Sequence, residues 1–137
     1  MGDKSFIDTN IWVYAHLQEA NNNKCNAAVA LLEKLPLLVS STQVLSEYYS
    51  VMQRNKIPDN LIQDNAEIII AITDVSVIQV MTIRLAHKIK LKYSFSYWDS
   101  LVLASVLEAG CQCLYSEDMQ HKQIIEGSLM IVNPFKR

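Results

Sequence analysis

Short apolar runs alternate along this chain with longer segments in which apolar residues recur every three to four positions, and that alternation most constrains the fold. Lys4-Ser5-Phe6-Ile7 reads as a short strand ending at Asp8. From Thr9 the apolar residues Ile11, Trp12 and Ala15 follow a helical period. Asn21 to Lys34 reads as a second helix with Ala27, Ala28, Leu31, Leu32 and Leu35 on its inner face, stopped by Pro36. Leu37-Leu38-Val39 reads as a buried strand. Ser41 and Thr42 are N-cap types for a helix carrying Val44, Leu45, Tyr48 and Met52. Pro58-Asp59 opens a helix that is apolar from Ala66 to Ile72. Val75 to Val80 fits either a strand or a helix, and Thr82 to Lys90 reads as helical. Ser96 caps a strongly apolar helix from Tyr97 to Leu107 that closes at Gly110. Cys111 to Tyr115 and Leu129 to Val132 are the last strands. Strands alternating with helices predict an α/β fold with a mostly parallel central sheet covered by helices on both faces. The 137 residues predict one domain spanning 1–137, with a core that needs no disulfide or structural metal.

Composition excludes several classes of protein. No apolar run approaches the roughly 18 residues of a membrane span, and no cationic segment precedes an apolar one at the N-terminus. Met1-Gly2 opens like a myristoylation signal, but Phe6 stands where that signal wants Ser or Thr. The expectation is a cytoplasmic protein with no membrane partner. Cys25, Cys111 and Cys113 are odd in number and irregular in spacing, so they read as core packing and not as a disulfide framework. Cys111 and Cys113 would share one face of a strand, but no second cysteine pair or nearby histidine pair completes a metal site. The net charge of −2, with no basic tail, gives no positive footprint for avid nonspecific binding of nucleic acid. With four of the 14 acids set aside as metal ligands, 10 remain against 12 Lys and Arg, so an acidic total is compatible with a nucleic-acid enzyme without arguing for one. Half the residues are apolar, which hints at a surface made for a partner.

The layout gives four acids meaning. In open parallel α/β sheets, ligands bind beyond the carboxyl ends of the strands. Asp8 follows the first strand, and Asp118 lies three residues after Tyr115 at the end of a later one. Asp99 lies in the first turn of a helix, where the dipole favours its charge. Glu47 lies mid-helix at the edge of the buried face. Four acids at the rims of buried elements can converge, and such a cluster repels itself unless cations neutralise it. Mg²⁺ and Mn²⁺ suit carboxylate and water ligands. Taken singly, each acid has a plainer role. Asp8 could cap a helix, Asp99 fits capping-box spacing after Ser96, Asp118 could hold an Asx turn, and Glu47 could be solvated.

Jointly, Phe6-Ile7-Asp8-Thr9-Asn10-Ile11, Ser46-Glu47-Tyr48, Tyr97-Trp98-Asp99-Ser100-Leu101, Leu114-Tyr115-Ser116-Glu117-Asp118 and Ile131-Val132-Asn133-Pro134-Phe135 resemble the PIN-domain nucleases, and within them the VapC-type toxins of toxin–antitoxin pairs. The match runs in order over nearly the whole chain. It implies a PIN-like fold with the acidic site at the carboxyl ends of the strands. It also implies that Asp8, Glu47, Asp99 and Asp118 are the catalytic, metal-binding acids, supported by Thr9 or Asn10 and by Ser116. One departure is local: Lys122 stands where relatives often have Gly. Glu117 is a possible fifth ligand that more often points to solvent. His121 reads as incidental to the chemistry.

The resemblance implies a Mg²⁺- or Mn²⁺-dependent ribonuclease holding two ions. Water attack on an RNA phosphodiester would leave a 5′-phosphate and a 3′-hydroxyl. It further implies an RNA substrate, a homodimer and a cognate antitoxin protein. That antitoxin is expected to lay an apolar segment near the site, with Met52 and nearby surface residues contributing, and to insert Arg or Lys among the four acids. Arg84, Lys88, Lys90 and Lys92, followed by Tyr93, Phe95 and Tyr97, could grip RNA or form a solvated helix face over partly buried rings. A HAD-type phosphatase would need an acid where Asn10 stands, and a receiver domain would need paired early acids and a late Lys that are missing. The alternatives are a housekeeping RNA-processing PIN nuclease and a non-catalytic PIN scaffold.

Overall fold

A computed structural model of the chain describes residues 3–17 and 23–136. Six strands form one sheet: β1 (Lys4–Ile7), β2 (Leu37–Ser41), β3 (Asp74–Ser76), β4 (Cys113–Tyr115), β5 (Ile124–Ile125) and β6 (Leu129–Val132). The helices are α1 (Thr9–His16), α2 (Asn23–Lys34), α3 (Thr42–Arg54), α4 (Asp59–Ile72), α5 (Val80–Tyr93) and α6 (Tyr97–Glu108). The strand order is β3-β2-β1-β4-β6-β5, and only the β5–β6 pair is antiparallel. Successive strand residues point to opposite faces. Ser5, Phe6 and Ile7 of β1 are all buried, as are Val39, Ser40 and Ser41 of β2, so the central strands are covered on both sides. Helix α1 packs on α2 and α3, α3 on α4, and α5 on α6. This is the expected α/β architecture, a mostly parallel sheet flanked by helices. No helix among the described residues is long and apolar enough to cross a membrane.

The chain builds outward from β1 through β2 to β3, then returns through α5 and α6 to place β4 on the other side of β1. Strand order therefore reverses between β1 and β4, and a crevice opens at their carboxyl ends. The backbone N–H of Asp8 donates to Tyr115 O at 3.0 Å, carrying the β1–β4 pairing to the crevice mouth.

Several sequence expectations change. The expected helix start at Asn21 lies outside the described residues, and Ala27 and Leu32 of its inner face are half-buried. Val75 to Val80 divides: Val75 belongs to β3, and Val80 starts α5, which runs to Tyr93 because Ser94 takes a left-handed C-cap. The last segment of α4 is amphipathic, with Ile69 buried and Ile68, Ile70 and Ile72 exposed. Cys111 precedes β4, so it does not share a strand face with Cys113; both are free thiols, raised by burial. Met52 is 1 % exposed and belongs to the core, so it is not part of a partner groove. Strand β5 is unanticipated. It turns back on β6 through Glu126, Gly127 and Ser128; the first two are at positive φ, and the Ser128 N–H donates to the Ile125 carbonyl at 3.2 Å.

Candidate active site

Asp8 is the N-cap of α1, and β1 feeds it directly into the crevice. Its Oδ1 accepts from the Thr9 N–H at 2.8 Å, and its Oδ2 accepts from the buried Ser116 hydroxyl at 2.8 Å. Ser116 also receives the N–H of Asp118 at 3.3 Å, so one hydroxyl ties the end of β1 to the loop after β4. Asp99 stands in the first turn of α6, where its N–H donates to the N-cap oxygen of Ser96 at 3.1 Å. Glu47 stands one turn into α3, a helix that starts at the carboxyl end of β2 because the Ser41 side chain accepts from Val44 N–H. Asp8, Thr9, Asn10, Glu47, Asp99 and Asp118 all line one cavity of about 280 Å³.

Glu47 and Asp118 also have neutral partners. Thr9 Oγ1 donates to Glu47 Oε2 at 3.4 Å, and Asn10 Nδ2 donates to Asp118 Oδ2 at 3.0 Å. Gln43, one helical turn before Glu47, donates from Nε2 to Glu47 Oε1 at 2.7 Å and to the Trp98 carbonyl at 3.2 Å. The same amide thus joins α3 to the start of α6. Sequence reasoning missed Gln43, although a residue four positions before an acid shares its helix face. None of the four acids forms an ion pair with a cation among the described residues.

The electrostatics follow from that arrangement. Burial pushes the Asp8 carboxyl up from 3.8 to about 6, against the lowering effect of the Thr9 and Ser116 hydrogen bonds, and the charges of Glu47 and Asp118 push it further. Asp99 is raised by burial and by Asp118 and Glu47, and Asp118 is raised by burial and by Glu117. A raised carboxyl among like charges is a site short of positive charge. The donor set is all oxygen, which fits hard divalent cations. Among the described residues no three acids, histidines or cysteines stand close enough to share one ion. Asp8, Asp118 and Glu47 are each held by a separate hydrogen bond, to Ser116, Asn10 and Gln43.

Other candidates lie elsewhere. Glu117 takes the Tyr14 hydroxyl at 2.7 Å and pairs with Lys24, away from the acidic cavity. His121 Nδ1 accepts from the Asn133 N–H at 2.9 Å and lines a different cavity. The end of the α5 basic stretch is engaged locally: Lys92 pairs with Glu126 at 2.7 Å, Lys90 donates to the Phe95 carbonyl, and the Tyr93 hydroxyl donates to Glu126. The aromatic ring that does line the acidic cavity is Trp98, 63 % exposed, beside Arg54.

A family model, the PIN domain, matches residues 5–126. Solved structures share the fold. VapC20 of Mycobacterium tuberculosis, a sarcin–ricin loop cleaving toxin, aligns with TM-score 0.70 and 20% identity, covering 83% of this chain and 89% of its own. A toxin–antitoxin complex from Klebsiella pneumoniae aligns with TM-score 0.73 and 15% identity over 97% of this chain and 99% of its own. VapBC2 from Rickettsia felis, bound to a DNA fragment from its promoter, aligns with TM-score 0.67 and 16% identity over 93% and 96%. No curated protein sequence matches. At these identities the structural likeness establishes the fold alone.

Proposed function

The chain belongs to the PIN domain family, and on that premise we propose that it is a metal-dependent endoribonuclease, the toxin of a toxin–antitoxin pair. One observation carries the reading: four acids from four separate parts of the chain line one cavity at the switch point of the sheet, and none is paired with a cation. Asp8, Glu47, Asp99 and Asp118 would hold Mg²⁺ or Mn²⁺, two ions in this reading. When bound, the ions supply an activated water and charge stabilisation for the leaving oxygen of a phosphodiester. The chain's own residues orient the ligands. Ser116 and the Thr9 N–H fix both oxygens of Asp8, Gln43 and Thr9 aim Glu47, and Asn10 holds Asp118. This is the supporting shell that metal carboxylates need.

Toxin–antitoxin complexes among the structural neighbours support an antitoxin partner. Its restraint would come from a guanidinium or ammonium entering the acidic cavity, where four carboxylates await positive charge. Val77, Val80 and Met81, each more than half exposed, support a face for the second copy of a homodimer. The protein acts in the cytoplasm.

The test is cleavage of a mixed-sequence RNA by purified protein. Activity should appear with Mg²⁺ or Mn²⁺ and vanish in EDTA. Asp8→Asn and Asp99→Asn should each lower the rate by at least about 100-fold, the scale for removing a key charge stabiliser. Undiminished cleavage in EDTA would overturn the metal reading, and no cleavage with any divalent ion would leave the fold as a scaffold.

A further inference from the structure

A groove of about 610 Å³ opens beside the acidic cavity, and the two share Glu47, Val51, Arg54 and Trp98 as a common wall. The far side of the groove is Thr42, Ser46, Ser50 and Gln43 with Ile78 and Leu101. Trp98 is the notable feature. Tryptophan normally buries most of its large ring, yet this one is 63 % exposed, whereas Trp12 is 1 % exposed. Its position is nonetheless fixed. Its ring meets Tyr97 edge-on at 5.2 Å and 82°, its carbonyl accepts from Gln43, and it sits in the first turn of α6 next to Asp99. Arg54, at the end of α3, is exposed and forms no ion pair among the described residues.

We infer that this groove seats the nucleotide adjoining the cleaved phosphodiester, with the indole of Trp98 stacking on its base and the guanidinium of Arg54 meeting its phosphate. The inference rests on the ribonuclease reading and specifies how the substrate is held there. An exposed indole beside a guanidinium that forms no ion pair among the described residues suits single-stranded nucleic acid: every base has a π-face, and every step a phosphate. Val51, Ile78, Leu101 and Trp98 line a groove whose surface is mostly apolar, with the hydroxyls of Thr42, Ser46 and Ser50 and the amide of Gln43 beside them. Continuity with the acidic cavity places the stacked base next to the bond to be cut. Within the α5 basic stretch, Lys92 and Lys90 are held against Glu126 and the Phe95 carbonyl.

The two tryptophans make a direct test. In an Asp8→Asn background, where cleavage is slowed at least about 100-fold, an unstructured ten-nucleotide RNA is titrated while emission and acrylamide quenching are followed. The RNA should quench the exposed tryptophan and shield it from acrylamide, while inorganic polyphosphate should bind by charge without quenching. Trp98→Ala should raise the Kd for the RNA about 5-fold or more, the lower end for one base–aromatic stack. Trp98→Phe should keep most of the affinity while losing the signal. Arg54→Ala should lower the salt dependence by about one phosphate contact. On the cleaving protein, Trp98→Ala should lower kcat/KM through KM. RNA affinity unchanged in Trp98→Ala, or equal quenching by polyphosphate, overturns the inference. So does a Trp98→Ala variant that loses only antitoxin affinity, since the groove would then belong to a protein partner. Metal-dependent cleavage that survives those failures leaves the ribonuclease reading standing. A protein that stacks RNA on Trp98 but never cleaves it fails that reading and keeps this one.

Discussion

Replacing Asp8 by Asn should stabilise the metal-free protein at neutral pH, although it removes a residue assigned to catalysis. Asp8 titrates near 6 in the folded chain, raised chiefly by burial, against 3.8 when unfolded. Between those pH values the folded state holds a proton that the unfolded state has released, so stability falls as pH rises. Below about 3.8 the two states carry the same proton and the effect is absent; above about 6 it is complete. A gap of about two pH units is worth about 3 kcal/mol. Asn keeps the N-cap, because its Oδ1 can accept from the Thr9 N–H as Asp8 does and because Asn and Asp cap about equally well. The Ser116 hydroxyl can rotate to accept from the new amide. Urea unfolding in EDTA should therefore show Asp8→Asn about 2–3 kcal/mol more stable than the parent at pH 7.5 and within about 0.5 kcal/mol of it at pH 4. Comparing variant with parent removes the parallel contributions of Asp99 and Asp118, which are raised in the same direction. Saturating Mn²⁺ should reverse the order at pH 7.5, because only the parent gains the full binding free energy. A variant equally destabilised at both pH values would refute the reasoning and make Asp8 a structural cap.

Ser116→Ala removes a buried hydroxyl that serves Asp8 and Asp118 together. Metal-free unfolding should show a loss of about 1–3 kcal/mol at pH 7.5, shrinking at pH 4 where Asp8 is protonated; a loss independent of pH would count against an electrostatic role. Lys122 sits at φ +68 with its N–H on the Ile131 carbonyl at 2.7 Å. Lys122→Gly relieves a left-handed penalty of about 1 kcal/mol against a somewhat smaller entropic cost, so the melting temperature should hold or rise by a degree or two, while Lys122→Ala should gain nothing. A clear drop for the glycine variant would mean the Lys side chain itself supports the loop.

The elements most legible in the sequence carry their own boundary signals. Strand β1 ends at a capping Asp, α3 opens on Ser41, and α6 opens on Ser96, each with the side-chain hydrogen bond its residue type predicts. Asp8 and Asp99 stand at such boundaries, where cap chemistry fixes their place, whereas mid-helix Glu47 and Asp118 in the loop after β4 were legible only through the joint resemblance. Strand β5 was not, since two isoleucines give no period and their pairing depends on the turn at Glu126 and Gly127. The Gln43 bridge and the exposed Trp98 were not legible either. Both depend on how α3 meets α6, helices about fifty residues apart in sequence, and no local pattern encodes that distance. For the α5 basic stretch the sequence allowed an RNA grip or a solvated helix face, and the pairing of Lys92 with a glutamate 34 positions away is likewise invisible to local pattern.

The position of β1 has a consequence for how the protein is made. Strand β1 lies inside the sheet, between β2 and β4, and one of its edges stays bare until Cys113–Tyr115 has been added. Asp118, the last of the four acids, follows immediately, and its loop is held by Ser116, whose N–H rests on Val132 of β6. A nascent chain folding from its N-terminus can complete α1 through α6 and still lack both the fourth acid and the hydroxyl that orients the first. The set of four acids is thus complete only after β4 and the loop that follows it have been added.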